Sequence, residues 1–304
     1  MGGPGTILIV MAIAIIVAIV WLIVHRRGRA ELPERIAPVV AAARRRVLFA
    51  VLTALLVFVI GAALGLMLPD LLGLPLAVTP LVSAAAGLLV YAATPPRDVE
   101  VDADEPRSAR LEHRSWRSFI PRGWVHACIE IVVVFVAVVL CCGVTATDDE
   151  QGRSRAIGFT VGGEAAAGTP YPGWYYGVPA LIGLALLVAA TIVALQGIGS
   201  TAVFPRPEDA ESDAQWRQAS ASVVLKLSIG AVLLSLGGIA WTAGALMSVT
   251  ASSAGAPAVW VVVGNMLLWG GIVALVLSVV SATLAALTAF TVGERMSTAP
   301  ESVR

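Results

Sequence analysis

The chain is poor in lysine, in charge of either sign and in groups suited to catalysis. Lys226 is the only lysine among 304 residues, histidines and cysteines number three each, and charged residues make up 13%. Soluble domains carry about 25% charged residues. A soluble globule with this composition would lack the polar surface to cover itself. Formal net charge is zero, so no basic excess points to nucleic acid, and no nucleic-acid partner is expected. Cys128, Cys141 and Cys142 share one apolar run, which is neither a disulfide framework nor a spaced ligand set. The sequence holds no phosphate-binding G-x-x-x-x-G-K-[ST] loop, no H-E-x-x-H and no G-x-S-x-G. It therefore does not itself drive transport by ATP hydrolysis, and no nucleophile–base set marks it as an enzyme. Only His126 among the histidines lies in an apolar run, so one chain cannot supply two facing haem ligands. Neither a cofactor nor a metal is expected.

What the chain has in quantity is apolar sequence: 58% of residues, with a mean hydropathy of +0.87. A helix that crosses lipid needs about 20 apolar residues. Seven segments meet that length: Thr6 to Val24, Val47 to Met67, Leu76 to Thr94, Val125 to Val144, Val178 to Gly197, Val223 to Met247 and Val259 to Phe290. In hydrocarbon they must be helices, because the backbone finds no water to bond. The expected fold is all-α: a polytopic transmembrane bundle of seven spans. The first segment lacks a basic leader and is followed by His25, Arg26, Arg27 and Arg29. It reads as an uncleaved anchor over 1–24 rather than a signal peptide.

Arginine placement sets the orientation. Segment 25–46 holds seven arginines, from Arg26 to Arg46, and segment 95–124 holds six, from Arg97 to Arg122. Arg206 and Arg217 lie in 198–222, and Arg295 and Arg304 in the tail, 291–304. Only Arg153 and Arg155, in the loop 145–177, fall on the other side. Seven alternating spans put every arginine-rich segment on one face, with the N-terminus outside and the C-terminus in the cytoplasm. Beyond the anchor, the spans form hairpins over 47–94, 125–197 and 223–290. Arginine in place of lysine, with much Ala and Val, suggests a high-GC bacterial coding bias and so a bacterial plasma membrane.

Three sets of residues are candidates for function. The first is an intramembrane polar cluster. His126 and Glu130 are four apart and share a helix face, while Lys226 enters its own span at a similar depth from the same side. Ionisable residues in a span are costly and usually partnered, so Glu130 and Lys226 are expected to pair, with His126 close enough to tune them. The plainer alternatives are a static clamp between helices, or snorkelling of each side chain to the interface. The second set is an outer-face platform, Tyr171, Trp174, Tyr175 and Tyr176, in a stretch rich in Pro and Gly. It reads as a gate or ligand platform, or more simply as an interfacial anchor. Just before it, Ile157, Phe159 and Val161 alternate as in a short strand, and Gly162-Gly163 reads as a turn. The third set is a cytoplasmic interfacial helix holding Arg114, Trp116, Arg117, Phe119, Ile120, Arg122 and Trp124, with apolar residues toward lipid and arginines toward phosphates. It would anchor the chain or dock a partner. The acidic runs Asp98 to Glu105 and Glu208 to Asp213 read as solvated linkers. Small residues, Gly61 and Gly65 among them, recur at spacings that let helices approach closely.

These features favour a transport-associated protein, a permease-like subunit or small-solute carrier working with a cytoplasmic ATPase or another membrane subunit. The alternative is a non-transporting membrane scaffold or accessory subunit in envelope assembly or sensing. The lipid bilayer is the partner common to both. The orientation is directly testable with single cysteines and a membrane-impermeant maleimide. Gly3→Cys and Gln151→Cys are expected to label in intact cells, and Ser302→Cys only after permeabilisation. Labelling of all three on one side would overturn the seven-span arrangement.

Overall fold

The structure, a computed structural model, describes residues 37–94, 120, 122–200 and 210–297. The expected anchor over Thr6 to Val24 and most of the expected interfacial helix (Arg114, Trp116, Arg117 and Phe119) lie outside these residues. The described chain is mostly helical. Its helices are α1 (Ala37–Met67), α2 (Leu74–Ala93), α3 (Arg122–Thr145), α4 (Trp174–Ser200), α5 (Ala210–Ser253) and α6 (Ala258–Ser297). Three strands separate α3 from α4: β1 (Thr147–Asp148), β2 (Ser154–Val161) and β3 (Glu164–Gly168). All six helices are long and apolar enough to cross a membrane, and they match the second to seventh expected spans.

The helix ends differ from expectation where local chemistry outlasts the apolar run. Helix α5 begins at Ala210, inside the segment expected to be a solvated loop. Asp213 is therefore not part of a solvated linker: one turn into the helix, its Oδ2 accepts from Arg217 Nε at 2.8 Å. The i,i+4 spacing that brings the two together exists only in a helix. Helix α1 starts ten residues early, at Ala37, and α6 runs on to Ser297. At 1.5 Å per residue α5 is roughly 65 Å long, against a hydrocarbon thickness of about 30 Å.

Helix α5 forms the centre. It packs against α2, α3, α4, α6 and both longer strands. Of its most apolar stretch, 72% is buried, against 6% for α1. The closest packing joins α5 to α6 through glycines seven residues apart on each helix. A Cβ built on Gly237 would lie 2.9 Å from the Gly271 carbonyl oxygen, and one on Gly264 would lie 2.9 Å from that of Gly244. The helices touch backbone to backbone, which only glycine permits. Hydroxyls extend the seam: Ser278 Oγ donates to the Gly230 carbonyl at 2.9 Å and Ser281 Oγ to that of Lys226 at 2.7 Å. The Gly61/Gly65 pair serves the same purpose within the chain, with Gly61 facing Thr79 and Gly65 facing Leu76 of α2.

The expected strand and turn are present. Strand β2 is antiparallel to β1 and β3 in the order β1-β2-β3, with Val161 opposite Glu164. Gly162 and Gly163 form the two-residue turn, at φ 60° and 91°. Positive φ at both positions suits the right-handed twist of a hairpin and favours glycine.

The adjacent residues Gly270 and Gly271 make a matched test of the α5–α6 contact. A Cβ on Gly271 would lie 2.5 Å from the Trp241 amide nitrogen, whereas no described atom lies within 4 Å of one on Gly270. Gly271→Ala is expected to destabilise by about 1–3 kcal/mol through overpacking, and Gly270→Ala to stay within about 0.5 kcal/mol of the parent. Thermal unfolding in detergent, calibrated by denaturant titration, reads both. Equal effects would mean that the backbone contact is not what holds this hairpin.

Candidate functional site

The expected polar cluster divides in two. Lys226 is buried, 8% exposed, between three helices. Its Nζ donates to Thr288 Oγ1 of α6 at 2.5 Å and lies 5.2 Å from the centre of the Trp124 ring of α3. A lysine stem of four methylenes spans such a gap between helices, and the ring face offers its ammonium a second site of negative potential. Among the described residues no carboxylate pairs with it.

His126 and Glu130 do share a face, but it is the exposed face of α3. Their neighbours there are Ile129, Val133 and Val134, which are 55%, 60% and 49% exposed. The opposite face of α3 carries the buried Phe135, Val139 and Cys142. The expected Glu130–Lys226 pair is therefore not formed. Apolar residues at 128, 131, 132 and 135 turn one side of α3 inward, and the 100° step per residue leaves 126 and 130 outside. A clamp joining α3, α5 and α6 matches Lys226 alone.

Two further buried cations sit at the same end and were not singled out by sequence. Arg46, 6% exposed, donates from Nε to the Tyr91 carbonyl at 2.7 Å, with its guanidinium 3.8 Å from the centre of the Tyr91 ring. Its Nη1 is buried without a hydrogen-bond partner among the described residues. Arg217, 5% exposed, donates from Nη1 to the Gly199 carbonyl at 2.9 Å. Tyr91 and Gly199 lie in the last turns of α2 and α4. Carbonyls there lack an amide partner within the helix and carry the negative end of its dipole, so each arginine caps a neighbouring helix. The sequence signal for this is an arginine just outside an apolar run.

Of the third set, Ile120 is buried in the core and Arg122 and Trp124 form the first turn of α3. Trp124 faces Lys226 and the apolar core rather than lipid. Arg122 and Trp124 belong to a spanning helix and not to a separate interfacial one, and Ile120 lies just ahead of it.

The aromatic set at the opposite end is tied inward. Tyr171 is fully buried, and its hydroxyl lies 2.7 Å from Thr145 Oγ1; burial pushes its phenol above the ordinary range. Tyr176 donates to the Leu72 carbonyl at 2.7 Å and Tyr175 to that of Leu71 at 3.3 Å. The Trp174 ring fills the space that a side chain on Gly143 would need. Phe159 of β2 packs on Trp260 of α6, with ring centres 5.4 Å apart. Phe159 ties the sheet to α6, Tyr171 ties the segment after β3 to α3, and Trp174, Tyr175 and Tyr176 tie the start of α4 to α3 and the α1–α2 connection.

At the base of the sheet, Asp149 Oδ1 accepts from the Arg153 and Gln151 amides, each at 2.9 Å, and Oδ2 pairs with the Arg155 guanidinium. The backbone bond from Arg153 is the largest influence holding the Asp149 carboxyl below its ordinary value, with Arg155 adding to it. Burial alone would lower the Arg155 guanidinium, but its bonds to Asp149 and Tyr176 outweigh that and raise it. Among the described residues no three His, Cys, Asp or Glu side chains converge to hold a metal ion. Comparison with family models, with curated proteins and with solved structures finds no match to any of them.

The Asp149 lock gives the sheet an acid sensitivity. A depressed carboxyl contributes stability that is present above the unfolded value, about pH 4, and is lost as pH falls through the lower folded value. Limited proteolysis of loop 146–173 is expected to accelerate on going from pH 5 toward pH 2.5. Asp149→Asn is expected to be cut faster at neutral pH and to lose most of that acid step. An unchanged pH profile in the variant would remove Asp149 as the lock.

Proposed function

We propose that this chain is a multi-pass membrane subunit whose work is assembly, a scaffold or accessory component rather than a carrier. One observation carries the reading: the ionisable pair His126 and Glu130 faces away from the bundle interior. In a carrier, such residues line a path through the protein. Here the interior is occupied by α5, whose buried faces beyond Lys226 and Arg217 near one end are packed by apolar and small residues. An acid and an imidazole on an outward helix face are costly in lipid unless they reach the headgroups or meet another membrane helix. The second of these makes α3 a docking face for a partner with a basic or hydrogen-bonding side chain at matching depth. The bacterial plasma membrane, with the arginine-rich face in the cytoplasm, is the proposed setting.

A transport-associated reading keeps one support, the buried cation Lys226, which would suit an anionic substrate if α3 moved away from it. Pull-down of the tagged chain in mild detergent, read by mass spectrometry, separates the two. An assembly subunit is expected to recover other integral membrane proteins, and Glu130→Leu to reduce that recovery at least several-fold without lowering expression. Recovery of a cytoplasmic ATPase, unaffected by Glu130→Leu but lost with Lys226→Met, would favour transport and overturn the assembly reading.

A further inference from the structure

We infer that the outward face of α6 pairs with the same face of a second copy of this chain. The inference rests on the membrane-assembly reading and uses a different helix from the one that carries it. Helix α6 turns Gly264, Gly271, Ala274, Leu275 and Ser278 toward the core. The opposite side is an exposed stripe that includes Val262, Met266, Trp269, Val273 and Val276, from 55% to 70% exposed. An apolar stripe alone suits lipid. Two residues on this one do not.

The first is Asn265. It is exposed, and its amide makes no hydrogen bond among the described residues. It lies five residues past Trp260, which packs on the sheet at the bundle end. That places it roughly 7 Å further along the helix, too deep for its short side chain to reach water. An amide in hydrocarbon without a partner is costly, and one that meets another helix acts as glue. The second is Gly270, beside Trp269, with nothing among the described residues within 4 Å of a Cβ built on it. Elsewhere on α6, Gly264 and Gly271 serve the contact with α5; Gly270 serves no contact among the described residues.

Paired α6 helices bring the two features together. Copies in one membrane share an orientation, so a twofold pair is parallel and isologous. Met266, Val273 and Val280 then occupy the a positions of a seven-residue repeat and Val262, Trp269 and Val276 the d positions. Asn265 becomes a g position and Gly270 an e position. In a parallel pair, g of one helix faces e of the other in the following repeat. The Asn265 amide is thereby set against Gly270 of the partner subunit, where the missing side chain leaves a main-chain carbonyl open to a second donor. The twofold axis repeats the contact. A lipid tail satisfies neither group, and a foreign helix would have to match both.

The test is single-molecule photobleaching of the fluorescently tagged full chain in liposomes, across a dilution series of protein in lipid. The parent is expected to bleach mainly in two steps at high density and to pass to one step on dilution. Gly270→Ile, which blocks the notch, is expected to raise the apparent dissociation constant more than tenfold, and Asn265→Leu about threefold to tenfold. Leu186→Ile on the exposed face of α4 is expected to leave the curve in place. Both informative sites are outward-facing, so the variants are expected to unfold at the parent temperature. Single-step bleaching of the parent at every density would overturn the pairing, as would variant curves superimposed on the parent's. If foreign membrane subunits are still recovered in a Glu130-dependent way, the assembly reading stands and only the self-pairing falls.

Discussion

The backbone contact between α5 and α6 sets the terms for the rest of the molecule. Glycines at 237, 244, 264 and 271 let two helices approach to a distance that any side chain would prevent. Once they are joined, every other helix must pack against the remaining sides of α5 or face outward. That constraint directs which faces can carry polar groups. Serines at 278 and 281 are acceptable on the joined side because carbonyls of α5 lie within reach of their hydroxyls. Lys226 is acceptable at the end of the seam because Thr288 and the Trp124 ring receive its ammonium. His126, Glu130 and Asn265 have no such accommodation among the described residues and are left outside.

The two ends of the bundle are closed by different chemistry. At the sheet end, aromatic rings and phenolic hydroxyls bind a short sheet to the loops and helix termini around it. At the other end, buried arginines bond the last carbonyls of neighbouring helices. A buried charge is ordinarily expensive. The negative end of a helix dipole supplies part of the counter-charge without adding a second ion to desolvate. Arginine suits this use better than lysine, because its planar fork donates to a carbonyl while its face rests on an aromatic ring, as Arg46 does on Tyr91.

Sequence patterning made the six helices legible because hydrocarbon allows one solution for the backbone. The β-hairpin was legible from three alternating apolar residues and a Gly-Gly pair. Helix ends were harder to read. Ala210 to Ser222 looks like a polar loop by hydropathy, yet the Asp213–Arg217 bond and continuity with α5 keep it helical. The polar cluster was half legible. The four-residue spacing of His126 and Glu130 correctly put them on one face, but nothing in their spacing says which way that face turns. That direction is decided by Phe135, Val139 and Cys142 finding a core to fill, a tertiary event that one helix's sequence does not encode. The tyrosines at 171, 175 and 176 illustrate the same limit: their density marks a boundary, while their partners at 71, 72 and 145 are set by how the helices meet.

The bond from Tyr176 to the Leu72 carbonyl joins positions 104 residues apart. A ribosome adds roughly 5–20 residues each second, so the α1–α2 hairpin leaves it some 5–20 seconds before its lashing does. Through that interval the hairpin must hold its shape on its own contacts, among them Gly61–Thr79, Gly65–Leu76 and the Arg46 bond to the Tyr91 carbonyl. Close glycine packing in the first hairpin is therefore a requirement of biosynthesis as much as of the finished structure.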